Sequence, residues 1–216
     1  MCEGQVKNQG DAGRLGLITD MQTALRQHAE AEAVVLSSCG ALTIMCCNDA
    51  ANITEAGRLG LMADLQTALR KHDESEAVVR SACLALQIMC RNDGNREKAG
   101  RLGLMADLQS ALRRHSESDD VVEAVCGALQ NMCYTAANRA AAERLGLMSD
   151  MQTALRQHGE AEAVIRRACL ALQNMCCNEG NKAEAGRLGL LADLQAVMRH
   201  HPKIQAVEMA IGRMSR

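Results

Sequence analysis

Cysteine, methionine and histidine recur at fixed places along this chain, and each row could do chemistry. Cys39, Cys83, Cys126 and Cys169 stand in phase, and Cys46, Cys90, Cys133 and Cys176 follow them seven residues later. Thiolates could bind zinc or exchange disulfides, but zinc sites favour close pairs such as CxxC, and the chain has none. Seven residues is two helical turns along one face, where free cysteine serves as a small buried apolar residue. Cys47 and Cys177 differ. Each follows a core cysteine and points about 100° further round its helix. Their thiols are open to redox chemistry or a soft metal, although no basic residue stands at fixed spacing to activate them. Met45, Met89, Met132 and Met175 admit a copper site, yet methionine at helical spacing packs as core. His28, His72, His115, His158 and His201 admit metal binding or catalysis. Successive histidines lie one unit apart, about 10 Å in a stack, too far to share a metal at ~2 Å bond lengths. Each also closes a predicted helix, where a hydrogen-bond donor suits the terminal carbonyls. No catalytic centre, metal or cofactor is expected, because residues identical in every unit are scaffold.

A repeat sets the elements that position these rows. AGRLGL begins at Ala12, Ala56, Ala99 and Ala185, with a worn copy, AERLGL, at Ala142. Its arginines, Arg14, Arg58, Arg101, Arg144 and Arg187, are 44, 43, 43 and 43 residues apart. Asn8, Asn52, Asn95, Asn138 and Asn181 keep the same phase. Such a period marks stacked units, none of which can bury its apolar face alone. With 24 basic and 26 acidic residues the net charge is −2, which lacks the basic excess of a nucleic-acid binder. No apolar run reaches the ~18 residues of a membrane span. MCEGQVKNQG has no hydrophobic signal-peptide core, so a cytoplasmic protein is expected, with the nucleus also open to it. In that setting the 11 cysteines are not a disulfide framework. Phe and Trp are absent, so the 13 methionines fill core gaps that aromatics usually fill.

The residues from 95 to 137 show one unit. Asn95 suits a helix N-cap, and a short helix is predicted to run to about Leu102. Gly103 ends it. In LMADLQSALRRH, the residues Leu104, Met105, Leu108, Ala111 and Leu112 form one apolar stripe. Asp107 at its start and Arg113, Arg114 and His115 at its end suit the helix dipole. After the polar SESDD comes VVEAVCGALQNMC, the most apolar segment and so the buried helix. Nothing alternates with the period of a strand. The units are 8–51, 52–94, 95–137 and 138–180, with a partial fifth at 181–216 whose last helix, VEMAIGRM, runs one residue out of phase. The phase of the Arg14 and Asp20 rows suggests polar contacts between neighbouring units.

These residues resemble armadillo repeats. The resemblance covers essentially the whole chain: Gly16, Gly60, Gly103, Gly146 and Gly189 between helices one and two; ALRQH, ALRKH, ALRRH and ALRQH ending helix two; CGALTIMC, CLALQIMC, CGALQNMC and CLALQNMC in helix three. It implies an all-α, right-handed α-solenoid of three-helix repeats, with helix three lining the concave face. In peptide-binding members an asparagine row holds a peptide backbone there and a tryptophan row makes its pockets. Here the asparagine places hold Ile44, Ile88, Asn131 and Asn174, and the tryptophan places Gly40, Leu84, Gly127 and Leu170. An importin-alpha type of groove for basic signals is therefore not expected. The proline common near the start of helix two is replaced by Thr19, Ala63, Ala106, Ser149 and Ala192.

Helix geometry places two further rows on the asparagine face: Leu36, Arg80, Glu123 and Arg166, and Cys47, Arg91, Tyr134 and Cys177. These positions vary between units where core positions barely do, and they include the only aromatic residue. The expected function is a non-catalytic interaction scaffold that binds a protein or peptide segment on this face. Its contacts would be Arg80, Leu84, Ile88, Arg91, Glu123, Asn131, Tyr134, Arg166, Leu170 and Asn174. The alternative is a redox- or soft-metal-responsive repeat protein using Cys47 and Cys177. At the ends, Leu17, Ile18, Met21 and Leu25 lack an earlier helix three, and Met209, Ile211 and Met214 sit on a truncated last helix. Either the array continues or its ends meet another copy, so end-to-end self-association is one of two open alternatives.

Overall fold

A computed structural model describes residues 3–215, with side chains from residue 8 onward. Arg216, the end of the expected fifth unit, lies outside the described residues. Helices and short turns make up the described chain, with no strand among them. The first repeat holds α1 (Glu3–Arg14), α2 (Leu17–Gln27) and α3 (Glu32–Cys46). The second holds α4 (Ala50–Leu59), α5 (Leu61–Lys71) and α6 (Glu76–Met89). The third holds α7 (Asp93–Leu102), α8 (Leu104–Arg114) and α9 (Asp119–Met132). The fourth holds α10 (Ala136–Leu145), α11 (Leu147–Gln157) and α12 (Glu162–Met175), and the last α13 (Glu179–Arg187), α14 (Leu190–His200) and α15 (Gln205–Met214).

The glycine that closes each AGRLGL phrase makes the turn between first and second helices. Gly60 takes φ 92°, a left-handed conformation that a Cβ would strain, and Gly16, Gly103, Gly146 and Gly189 repeat it. A short polar side chain then caps most of the first helices. Asp49, Asn92, Thr135 and Asn178 accept from the backbone N–H three residues on, at 2.9 to 3.3 Å.

This corrects the expectation for the in-phase asparagines. Asn92, not Asn95, is the N-cap of α7, and Asn95 lies inside the helix with its side chain buried. Its Nδ2 donates to Met89 O (3.0 Å), at the end of the preceding helix, and to Ile53 O (3.1 Å), one repeat back. Asn52, Asn138 and Asn181 make the same pair of bonds to Met45 O and Gln9 O, Met132 O and Arg96 O, and Met175 O and Arg139 O. The asparagine is a clamp between neighbouring repeats. The first glycine of AGRLGL makes room for it. A Cβ on Gly13, Gly57 or Gly100 would collide with Oδ1 of Asn52, Asn95 or Asn138. The worn copy carries Glu143 at that place, and there Asn181 Oδ1 is buried without a hydrogen-bond partner.

A second polar ladder runs along the second helices. Gln22, Gln66, Gln109 and Gln152 each donate from Nε2 to a leucine carbonyl of the next repeat, at 2.6 to 2.8 Å, and to its aspartate, at 2.5 to 2.8 Å. The acceptors are Leu59 and Asp64, Leu102 and Asp107, Leu145 and Asp150, and Leu188 and Asp193. Arg26, Arg70, Arg113 and Arg156 pair with the same aspartates. The aspartate row thus joins neighbouring units, as its phase suggested. The AGRLGL arginines do not: Arg14, Arg58 and Arg187 pair with Asp11, Glu55 and Glu184 three residues back on their own helices.

The histidines correct a second expectation. Their ring Nε2 reaches the preceding repeat rather than their own helix end: His72 to Ala29 O, His115 to Asp73 O, His158 to Ser116 O and His201 to Gly159 O, at 2.6 to 2.8 Å. A carbonyl only accepts, so Nε2 carries the proton. The helix end is closed instead by the histidine's backbone N–H, as in the bond from His72 N to Ala68 O (3.1 Å).

Third helices form the core. Val78, Val79, Leu86, Met89, Val121, Val122, Val125, Leu129 and Met132 are essentially inaccessible, and each large apolar side chain so buried stabilises the fold by about 1.5–3 kcal/mol. Successive third helices pack against one another more extensively than successive first or second helices do. The third-helix layer is therefore the tighter one, which puts it on the inside of any curvature of the stack.

Candidate binding surface

The eight in-phase cysteines are buried in this core. Burial disfavours the thiolate and pushes the thiols of Cys39, Cys46, Cys90, Cys126, Cys133, Cys169 and Cys176 up to about 12. Cys83, between Cys39 and Cys126, is pushed up in the same way. Cys47 is half-buried and Cys177 exposed, with its Sγ 3.6 Å from Gln173 O. Among the described residues no group of three or more His, Cys, Asp or Glu is placed to hold a metal ion. No helix there is long and apolar enough to cross a membrane.

The four variable rows form the accessible strip of α3, α6, α9 and α12. Arg80, Arg91, Tyr134 and Arg166 are exposed, Leu84, Ile88, Glu123, Asn131, Leu170 and Asn174 are half-buried, and Gly127 is buried. A Cβ at Gly127 would collide with the Gln87 amide, so glycine lets that side chain lie across the helix. Asn131 Nδ2 donates to Gln87 O (2.6 Å) and Asn174 Nδ2 to Gln130 O (2.8 Å), each one repeat back. An amide nitrogen carries two hydrogens, so each asparagine keeps one N–H and its Oδ1 for a ligand. Tyr134 is 55% exposed, with the Arg96 guanidinium 4.8 Å from its ring centroid, within cation–π range. Arg96 is itself held by Cys90 O and Arg91 O, so the ring is braced from one side and open on the other.

The charges are partly committed. Arg80 lies 3.4 Å from Asp120, Arg167 lies 3.9 Å from Glu123, and Arg91 donates to Cys47 O at 2.7 Å. Arg166 is exposed and forms no ion pair among the described residues. Two residues of this face escaped the sequence-based selection. Ile44 is 62% exposed, the most open apolar side chain of the strip. Arg96 belongs to a first helix, and nothing in its phase signals that it braces Tyr134. A separate hollow of about 570 Å³ lies between the second helices α5 and α8, beside Arg70, Asp73, Arg113 and Arg114. Its charges are already paired within the scaffold: Arg70 with Asp107, Arg113 with Asp150 and Arg114 with Asp73.

The sequence profile of the LRRK2 ARM repeat family matches residues 2–206. The chain belongs to this family. The match spans the first four repeats and the fifth as far as the start of α15, and the all-helical stack is the armadillo solenoid that the repeat pattern implies. No curated protein matches the chain.

Proposed function

We propose that the chain is a non-catalytic, cytoplasmic interaction scaffold that holds an extended polypeptide segment along the third-helix face. Tyr134 carries this reading. It is the chain's only aromatic residue, and it stands exposed on the variable strip, braced by Arg96, where a core residue would be buried. A rigid aromatic with one open face is a typical anchor for a bound chain. Around it, Ile44, Leu84, Ile88 and Leu170 supply apolar surface, and the remaining N–H and Oδ1 of Asn131 and Asn174 suit a peptide backbone. Arg80, Arg91 and Arg166 favour acidic side chains in the ligand over basic ones, with Glu123 as the counterweight. The ten described cysteines are all free, which suits a reducing compartment.

A random peptide library selected against the wild-type chain tests this. The control combines Arg80→Ala and Tyr134→Ala, at exposed positions, with Asn131→Ala and Asn174→Ala, at half-buried ones. Selected peptides should lose tenfold or more in affinity for the combined variant. Equal binding to both proteins would place the ligand site elsewhere.

A further inference from the structure

The third-helix strip carries a period longer than one repeat. Its outer row runs Arg80, Glu123 and Arg166, and Glu208 continues it on α15. Val207 and Ala210, buried like Ile165 and Ala168, fix that register. The sign of charge therefore alternates from the second repeat to the fifth. Leu36 holds the place in the first repeat, without a charge. One helical turn further along, Leu84, Gly127, Leu170 and Gly212 alternate in the same rhythm, so arginine goes with leucine and glutamate with glycine. Arg80, Arg166 and Glu208 are exposed and Glu123 is half-buried. Arg80 and Glu123 each have one oppositely charged neighbour, Asp120 and Arg167. Arg166 and Glu208 form no ion pair among the described residues.

Packed helices lie about 8–10 Å apart. At physiological ionic strength that is about one Debye length, so alternation of sign along the row gives the stack itself little. A ligand that crosses the third helices has to repeat its side chains at the same rise. A β-strand returns to one face every second residue, at about 7 Å for two residues or about 13 Å for four, and neither fits. A polyproline II helix returns every third residue, at about 9.3 Å, which does. It has no internal hydrogen bonds, so its backbone is free to meet the N–H and Oδ1 left on Asn131 and Asn174, one repeat apart. Exposed aromatics such as Tyr134 are what such helices pack on.

We propose that the segment held on this face is a polyproline II helix with a charged residue at every third position, acidic and basic in turn. Acidic residues meet Arg80 and Arg166, and basic residues meet Glu123 and Glu208. Leu84 and Leu170 give apolar contact to the residues between. This rests on the third-helix face being the binding surface, and adds the ligand's conformation, charge order and register.

Fluorescence anisotropy with synthetic peptides tests it. The probe is three copies of Glu-Pro-Pro-Lys-Pro-Pro. Its control is a scramble of the same composition in which no two charged residues stand three apart. The wild type should bind the probe at least tenfold tighter than the scramble. It should also prefer the probe at least tenfold to three copies of Glu-Pro-Pro-Glu-Pro-Pro, and Glu123→Arg, which makes the middle of the row all basic, should reverse that preference. Helicity of the variant is checked by circular dichroism. Equal binding of probe and scramble overturns the proposal, and so does a Glu123→Arg variant with unchanged preference. Library peptides that need the strip but show no three-residue period also overturn it, while leaving the binding surface in place. A library without any strip-dependent peptide removes the binding surface itself, and the proposal with it.

Discussion

At the scale of single residues, the same amino acid does different work according to what lies one repeat away. Eight cysteines are dry core, and their ionisation is tied to folding. In the unfolded chain a thiol loses its proton near its ordinary value of 9.0, whereas in the folded chain burial holds it back to about 12. The contribution to stability is therefore fully present below pH ~9 and is lost between about 9 and 12, because only the unfolded state then releases protons. Each thiol lowers stability by up to about 1.4 kcal/mol per pH unit in that window, and all eight act in the same direction. Unfolding monitored by circular dichroism should be steep above pH ~9, and Cys83→Ala with Cys126→Ala should move the alkaline midpoint upward; an unmoved midpoint would refute the linkage. The cysteine row could be assigned to the core from its helical spacing alone. The asparagine and histidine rows could not be assigned to their partners, because a cap and a clamp favour the same side chains. The true caps, Asp49, Asn92, Thr135 and Asn178, vary in type and so leave no row to see.

At the scale of helices, AGRLGL is two devices joined. Its second glycine turns the chain through a left-handed φ, and its first gives the next repeat's asparagine a place to sit. Asn95→Ala removes two bonds to buried carbonyls and should cost about 2–4 kcal/mol in urea unfolding. Gly57→Ala drives a methyl into Asn95 Oδ1 and should destabilise by about 1–3 kcal/mol. Gly186→Ala, at the same place in the phrase, meets open space in a helix and should instead stabilise by up to about 1 kcal/mol. Opposite signs for one motif position are the signature of a junction; equal effects would mean that the glycine serves only its own helix. The three-helix unit, its turns and its buried third helix were legible because hydrophobic period and glycine placement are local properties. The depth at which Asn131 and Asn174 bond to Gln87 and Gln130 carbonyls was not, because it depends on the spacing between repeats, which no single unit encodes.

At the scale of the whole molecule, the stack behaves as a one-dimensional array whose stability is a sum of repeats and junctions. Among the described residues the third helices α6, α9 and α12 each pack between two other third helices, whereas α3 packs against α6 alone and α15 against α12 alone. Local opening should therefore begin at the two ends, where fewer apolar contacts must break. Hydrogen exchange should be slowest for amides of α6, α9 and α12 and fastest in the outermost helices of the first and last repeats. Uniform protection along the chain would contradict the additive picture and imply a single cooperative unit.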